Sequence, residues 1–228
     1  MVMNVIEKAL AAGRRMLYEY EAKQLLSAYG FPTTNEMPAG SAAETAAAAE
    51  AVGFPVAIKG YGRDLMHKTE AGAVVLNVED AGSARAAYET MKNMLGDQLE
   101  GVVVSEMARG RRELVMGLHR EPGFGPCVMI GIGGIMTEII NDTAFRVAPV
   151  DNAEAMDMAA DLRAKEIFGP FRGEAEADMA AVGTCLAAIG KIGLDFPEIS
   201  EIDVNPVIIR PDGRIIAVDA LVILKGGE

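Results

Sequence analysis

Helical and strand-like patterns of apolar residues follow one another along the chain and together predict a mixed α/β protein. Ser41, followed three residues later by Glu44, is typical of a capped helix start, and Asp80 and Asp151 open similar Ala-rich segments. Helices are predicted from Asp151 to about residue 165 and over 175–191. Short apolar runs predict strands at 56–59, 72–78, 102–107, 113–118, 128–132, 136–140 and 145–150.

These elements do not follow a strict β-α-β rhythm, which favours an α/β or α+β fold of two lobes. We expect an N-terminal helical leader at 1–18, a first lobe at 19–100 and a second lobe at 101–228. The boundary near residue 100 is expected because helix-rich sequence gives way there to a strand-rich block.

A tight β-hairpin is predicted at 201–220, with polar side chains in the middle of apolar strands. The Pro-Asp-Gly sequence at 211–213 suits a three-residue turn. In that register Asn205 faces Asp219 at roughly 5 Å, with Asp203 as a reserve carboxylate on the same face. An amide oxygen and a carboxylate so placed suit Mg²⁺, which prefers oxygen ligands. The alternative is an ordinary hairpin whose polar residues face water.

Lys59 ends an apolar strand and precedes a loop punctuated by glycines. Such loops hold phosphates, because backbone N–H groups add to the charge of the lysine. The alternative is a surface lysine. His67 lies in the same loop beside Lys68, where a neutral imidazole can act as a nucleophile or accept a phosphoryl group, or can have no function at all.

Two carboxylates bracket a basic loop after the strand at 102–107. Glu106 ends the apolar run and Glu113 follows seven residues later. If the strand turns after Glu106, its backbone groups can contact the base of a nucleotide. The carboxylate of Glu113 can then bind the ribose hydroxyls. Arg146 is a further candidate for phosphate binding, with a structural salt bridge as the alternative.

Common nucleotide fingerprints are absent. The glycines at 131, 133 and 134 do not continue the dinucleotide pattern, since its third glycine would fall at Met136 and no helix signal follows. Gly190 and Lys191 lie within a predicted helix and are followed by Ile192, so they do not form a P-loop. A nucleotide would therefore have to be bound by a motif other than the dinucleotide fingerprint or the P-loop.

Composition limits the partners. Half of the 228 residues are apolar and the net charge is −12, which argues against nucleic acid and anionic membranes as partners. The two cysteines have no metal-type spacing, and no apolar stretch reaches the ~20 residues of a membrane span. The sequence therefore predicts a cytoplasmic protein.

In combination these segments resemble the nucleotide-binding beta subunit of ADP-forming acyl-CoA (acetyl-CoA) synthetases, a group within the ATP-grasp superfamily that is related to succinyl-CoA synthetase. The resemblance covers nearly the whole chain. Ala73 departs from it, since such proteins usually have a second glycine there. The matching segments are EYEAKQLLSAYGFP (19–32), FPVAIK (54–59), HKTEAGAV (67–74), FGP (124–126), GIGGI (131–135), FRVAP (145–149) and DVNP (203–206).

The resemblance implies an ATP-grasp fold that holds ATP or ADP between two α+β lobes. It implies that Lys59 contacts the phosphates of the nucleotide. Glu106 and Met107 correspond to the hinge that meets adenine, and Glu113 to the residue that binds ribose.

For catalysis, the resemblance implies that Asn205 and Asp219 are Mg²⁺ ligands and that His67 carries phosphate on its way to ADP. The implied enzyme is an acid–thiol ligase that interconverts acyl-CoA, ADP and phosphate with acid, CoA and ATP. Its implied partner is a CoA-binding alpha subunit with a second phosphorylatable histidine, in an α₂β₂ assembly. The alternatives are another ATP-grasp carboxylate ligase and a non-catalytic ATP-binding regulatory module.

Overall fold

A computed structural model describes residues 3–62, 65, 72–134 and 142–225. His67 and the predicted strand at 136–140 lie outside this described part. The helices are α1 (Met3–Ala11), α2 (Glu19–Ala28), α3 (Ala42–Val52), α4 (Ala81–Leu95), α5 (Asn152–Asp161) and α6 (Met179–Asp195). The strands are β1 (Glu36–Ala39), β2 (Val56–Tyr61), β3 (Val74–Val78), β4 (Gly101–Glu106), β5 (Arg112–Glu121), β6 (Gly125–Ile132), β7 (Thr143–Val147), β8 (Ile199–Ile209), β9 (Ile215–Ala217) and β10 (Leu221–Leu224).

Residues 34–107 form one compact unit. Its four strands pair antiparallel in the order β1-β4-β2-β3. Helices α3 and α4 pack together and against this sheet. Alanines on the helices and valines and isoleucines on the strands form a small aliphatic core between them.

The second compact unit combines residues 1–33 with residues 108–228. Its strands are antiparallel in the order β10-β8-β5-β6-β7, and β9 pairs with the C-terminal half of β8. Helices α5 and α6 pack on one face of this sheet. The large core on that face also contains side chains of α1 and α2, such as Ile6 and Leu25.

This division differs from the expected ranges 1–18, 19–100 and 101–228. The first 33 residues join the C-terminal unit because α1 and α2 share its core and the Leu17 amide donates to the Val222 carbonyl at 3.0 Å. Strand β4 joins the smaller unit because it is the central partner of β1 and β2. The mixed α+β architecture itself is confirmed. No helix in the described ranges is long and apolar enough to cross a membrane.

Side-chain caps begin the helices where the sequence predicts them. The Ser41 hydroxyl accepts from the Glu44 amide at 3.2 Å, and the Asp80 carboxylate accepts from the Ser83 amide at 2.8 Å. These caps satisfy amides that have no partner within the helix. Helix α6 begins later than the predicted residue 175, because Asp178 is its N-cap and accepts from the Ala181 amide at 3.0 Å.

The helix that Asp151 begins is shorter than predicted. It ends at Asp161, and a short 3₁₀ helix follows at Lys165–Phe168. The cause is the buried Asp142, whose two carboxylate oxygens accept from the Arg163 amide at 2.9 Å and from the Ala164 amide at 2.8 Å. These bonds replace the helical hydrogen bonds of the two amides.

Replacing Asp142 by asparagine is expected to lower the free energy of unfolding by about 1–2 kcal/mol at pH 7, because one charged acceptor is lost. Burial raises the pKa of Asp142, but the hydrogen bonds from the Arg163 and Ala164 amides, together with the charged Arg163 side chain, outweigh it and lower the pKa overall. The unfolded pKa is about 3.9. The carboxylate therefore stabilises the fold fully above that pH, and this contribution is lost as the pH falls through the folded pKa.

Urea unfolding of both proteins at pH 7 and pH 3 measures this effect. The difference between wild type and Asp142→Asn should be smaller at pH 3. An equal difference at both pH values would contradict the assigned role of the carboxylate.

Candidate functional site

The predicted hairpin turn at 211–213 is confirmed. The Arg210 amide donates to the Arg214 carbonyl at 2.7 Å, and the Gly213 amide donates to the Arg210 carbonyl at 2.9 Å. Gly213 has a φ of 86°, the left-handed conformation that the third turn residue requires. The turn therefore sets the register in which β8 and β9 pair.

That register places Asn205 opposite Asp219. Val207 pairs with Ala217 on one side of this position and Asp203 pairs with Leu221 on the other, so the same register continues through it. Asn205 is exposed and Asp219 is half-buried. The pairs on both sides agree with the register expected from the turn, and the role of Asn205 and Asp219 as metal ligands stays a prediction.

Further acidic side chains lie near Asn205 and Asp219. Asp203 lies two residues before Asn205 in the same strand and is half-buried. Burial raises the pKa of Asp203, and the neighbouring charges of Glu201 and Asp219 raise it further. A cation bound here would relieve the repulsion that raises the pKa.

The donor set suits an open magnesium site. In the described ranges, no group of three or more His, Cys, Asp or Glu side chains is arranged to hold a metal ion. The hairpin therefore offers one amide oxygen and one or two carboxylates, and not a closed cage. Mg²⁺ is commonly held in this way, because it keeps several waters and binds substrate phosphates.

Glu113 lies on the same sheet as the hairpin, opposite Ile208 of β8. It faces away from the core, as Asp203 and Asn205 do, because alternate residues of a strand point to opposite faces. The adjacent core-facing residues are Leu114, Ile202 and Val204, each at most 1% exposed. The sheet thus brings Glu113 to the face that carries the candidate metal ligands.

Two glycines of the GIGGI segment fix the surroundings of Glu113. The Gly133 amide donates to the Glu113 carbonyl at 2.7 Å, and a Cβ on Gly133 would lie 2.9 Å from the Glu113 carbonyl carbon. Gly134 has a φ of 81°, and a Cβ there would lie 3.3 Å from a Glu113 carboxylate oxygen. The sequence excluded a dinucleotide fingerprint for these glycines but did not predict this contact.

Arg112 was predicted only as part of a basic loop, but its side chain is 4% exposed. Its guanidinium donates to the carbonyls of Ile167 at 3.2 Å, Gly169 at 2.7 Å and Ala175 at 2.6 Å. It also donates to the Glu174 carboxylate at 3.2 Å. Arg112 therefore anchors the loop before α6 to the start of β5, next to Glu113.

The candidates of the smaller unit lie on its central strands. Lys59 is 6% exposed, so it is not a surface lysine. It pairs with Val103 of β4, and Glu106 ends the same strand with its amide donating to the Asn35 carbonyl at 2.9 Å. Met107 is the last residue of the unit. Their predicted contacts with nucleotide stay predictions.

Arg146 is placed differently from the other candidates. Its guanidinium donates to the Asp161 carboxylate at 2.7 Å, and it also donates to the Phe145 carbonyl at 2.8 Å. Asp161 ends α5, which packs on the core face of the sheet. The structure thus contains the salt bridge given as the alternative, and the phosphate contact of Arg146 stays a prediction.

Comparison with known proteins identifies the family. The sequence profile of the ATP-grasp domain matches residues 8–224. The chain is 37% identical over 226 residues to the acetate–CoA ligase [ADP-forming] I subunit beta of Pyrococcus furiosus, with 97% of each chain covered. It is also 36% identical to the acetate–CoA ligase [ADP-forming] I of Archaeoglobus fulgidus, where it spans 31% of that longer protein.

A solved structure shows the same fold. The acetyl-coenzyme A synthetase 1 of Ca. Korarchaeum cryptofilum, in complex with coenzyme A and Ca-AMPCP, superposes with a TM-score of 0.93 at 37% identity and covers 99% of this chain. Another structure of that protein contains Mg-AMPPCP, with a phosphohistidine segment pointing towards the nucleotide-binding site. This chain belongs to the ATP-grasp family, in the group that contains the beta subunits of ADP-forming acetate–CoA ligases.

Proposed function

We propose that this chain is the nucleotide-binding subunit of an ADP-forming acyl-CoA synthetase. The enzyme interconverts acyl-CoA, ADP and phosphate with acid, CoA and ATP. The observation that carries this proposal is the opposed pair Asn205 and Asp219 on the sheet face that also presents Glu113. The 37% identity to the Pyrococcus furiosus beta subunit, with 97% of each chain covered, supports it.

Each candidate has a role that its surroundings support. Glu113 accepts from the ribose hydroxyls, and Gly133 and Gly134 hold it in place for that contact. Lys59 donates to phosphate oxygens, and its burial strengthens that interaction because the local dielectric is low. Mg²⁺ held by Asn205 and Asp219 would neutralise phosphate charge, which is the main electrostatic requirement of phosphoryl transfer.

The proposal includes a partner and a relay. The Pyrococcus furiosus relatives are named as beta subunits, which supports a separate partner chain, whereas the Archaeoglobus fulgidus ligase is one longer protein of which this chain spans 31%. That partner binds CoA, carries a second phosphorylatable histidine and forms the acyl phosphate, in an α₂β₂ assembly. His67 accepts the phosphoryl group on an imidazole nitrogen and passes it to ADP, which becomes ATP.

Lys59→Met and Asp219→Ala are each expected to weaken Mg-ADP binding by about 1–3 kcal/mol, roughly 5–150-fold in Kd, because each removes a charged partner of the nucleotide or its metal. Isothermal titration calorimetry of the full chain measures this. Methionine keeps most of the buried volume of Lys59. The matched control is Asp212→Ala, since Asp212 lies in the same hairpin but is paired with Arg214 at 2.7 Å.

Asp212→Ala should bind Mg-ADP as wild type does. Unchanged affinity in both Lys59→Met and Asp219→Ala, with both variants folded, would remove the basis of the proposed site. A similar loss in Asp212→Ala would point to a general effect of hairpin charge.

Glu113→Gln is expected to weaken binding of ADP by about 1–2 kcal/mol while the dependence of binding on Mg²⁺ concentration stays the same, because a ribose contact is local. Titrations of ADP at several Mg²⁺ concentrations separate the two effects. If Glu113→Gln abolishes the metal dependence, this carboxylate acts at the metal and not at the ribose.

A further inference from the structure

A cationic pocket of about 480 Å³ lies at the turn end of the hairpin. The loop before β5 contributes Arg109 and Arg111, the loop before α6 contributes Arg172 and Glu174, and the turn contributes Pro211. Three arginines therefore line one pocket in a protein whose net charge is −12. Such a concentration of positive charge indicates an anionic ligand.

The charge of the pocket is not cancelled from within. Glu174 is the only acidic residue among those that line it, and its carboxylate accepts from Arg112 at 3.2 Å. Within the described ranges, Arg109 and Arg111 form no hydrogen bond or ion pair through their side chains. Their donors remain available to a ligand.

The pocket walls are held in place by backbone contacts. A Cβ on Gly110 would overlap the Ile208 side chain and the Ile209 carbonyl, so the first loop lies directly against β8. The Ala175 amide donates to the Pro211 carbonyl at 2.9 Å, which ties the second loop to the hairpin turn. Together with the anchoring contacts of Arg112, these contacts fix the backbone of the two loops that carry the arginines.

The backbone at Arg172 gives a second and independent indication. Phe171 and Glu174 exchange amide–carbonyl hydrogen bonds at 3.2 and 2.9 Å around a two-residue turn. Both central residues have positive φ, 47° for Arg172 and 86° for Gly173. Such turns favour Asn or Gly at the first position, so an arginine is there at a conformational cost.

The pocket is separate from the proposed metal pair. Pro211 lies six residues along the strand from Asn205, or about 20 Å at ~3.3 Å per residue. A phosphate group at the metal pair does not reach that far. The pocket therefore serves an anion other than the phosphates of the nucleotide bound at Asn205 and Asp219.

We propose that Arg109, Arg111 and Arg172 form a second anion-binding site that takes a small, multiply charged phosphate compound. Guanidinium groups bind phosphate oxygens in a bidentate manner, and three of them suit a compact anion of two or more charges. The ligand is either free phosphate or the phosphoryl group of a larger small molecule. This site goes beyond the proposed function and does not rest on it.

The test is calorimetric titration of the full chain with pyrophosphate and, separately, with inorganic phosphate, in buffer containing EDTA. Wild type should bind one pyrophosphate per chain. Arg172→Asn and Arg109→Gln should each weaken this binding at least tenfold, and Arg85→Gln, which removes an exposed arginine of α4, should not. Inorganic phosphate that binds as tightly as pyrophosphate identifies free phosphate as the ligand, and tighter pyrophosphate binding identifies a phosphorylated compound.

Stability is followed in parallel. Arg172→Asn should melt at the same temperature as wild type or higher, because asparagine suits the turn, so that its loss of binding is not a loss of fold. The proposal is overturned if wild type binds neither anion, or if Arg172→Asn and Arg109→Gln both bind like wild type. It is also overturned if Lys59→Met loses pyrophosphate binding, which would place the anion at the proposed nucleotide-phosphate site.

Discussion

Replacing His67 by alanine is expected to lower turnover of the assembled enzyme by on the order of 10³-fold or more while Mg-ADP binding stays unchanged. The relay requires a nitrogen that forms a bond to phosphorus and later releases it, and alanine has no such atom. Binding is preserved because the contacts proposed for the nucleotide come from Lys59, Glu113 and the hairpin pair. Steady-state assays with the partner subunit and calorimetry of the chain measure the two quantities.

The sequence supplies a matched control for this experiment. His119 is the second of the two histidines, its side chain is 60% exposed, and its Nε2 lies 3.9 Å from a Glu121 carboxylate oxygen. His119→Ala should therefore keep full turnover. Full turnover in His67→Ala, or acyl-CoA synthesis by this chain without a partner, would contradict the relay.

Replacing Arg112 by methionine is expected to lower the free energy of unfolding by about 3–5 kcal/mol, the range for removing one partner of a buried ion pair. The carbonyls of Ile167, Gly169 and Ala175 lose their donor, and the Glu174 carboxylate loses its charge partner. Urea unfolding measures the change. Arg111→Met is the matched control because Arg111 is the exposed neighbour, and its effect should stay within about 0.5 kcal/mol.

A loss below about 1 kcal/mol in Arg112→Met would show that water replaces these hydrogen bonds and that the loop is not anchored by the arginine. An equally large loss in Arg111→Met would show that the basic character of the loop is required for stability, and not the contacts of one side chain.

Local signals in the sequence predicted the parts of the structure that depend on near neighbours. The Pro-Asp-Gly turn at 211–213 determines the pairing of Asn205 with Asp219, because a hairpin register follows from its turn. Capping residues such as Ser41 and Asp80 marked helix starts for the same reason. The candidate metal pair was therefore accessible to sequence reasoning.

Features that depend on distant contacts were not predicted. Arg112 and Glu174 are 62 residues apart in sequence, and no local pattern relates them. Asp142 ends α5 because it accepts hydrogen bonds from two amides just beyond that helix, which lie 21 and 22 residues after Asp142 in sequence. The contact of Gly134 with Glu113 depends on the pairing of β5 with β6, which the strand predictions alone did not specify.

We propose that this chain transfers a phosphoryl group between a nucleotide and its own histidine, and transfer of label from ATP tests this directly. The complex is incubated with Mg²⁺ and γ-labelled ATP, and acid-labile, alkali-stable phosphate on this chain is then measured. We expect label on the wild-type chain, none on His67→Ala and strongly reduced label on Asp219→Ala. A wild-type chain that remains unlabelled in a complex that turns over, or equal label on His67→Ala, would contradict the claim.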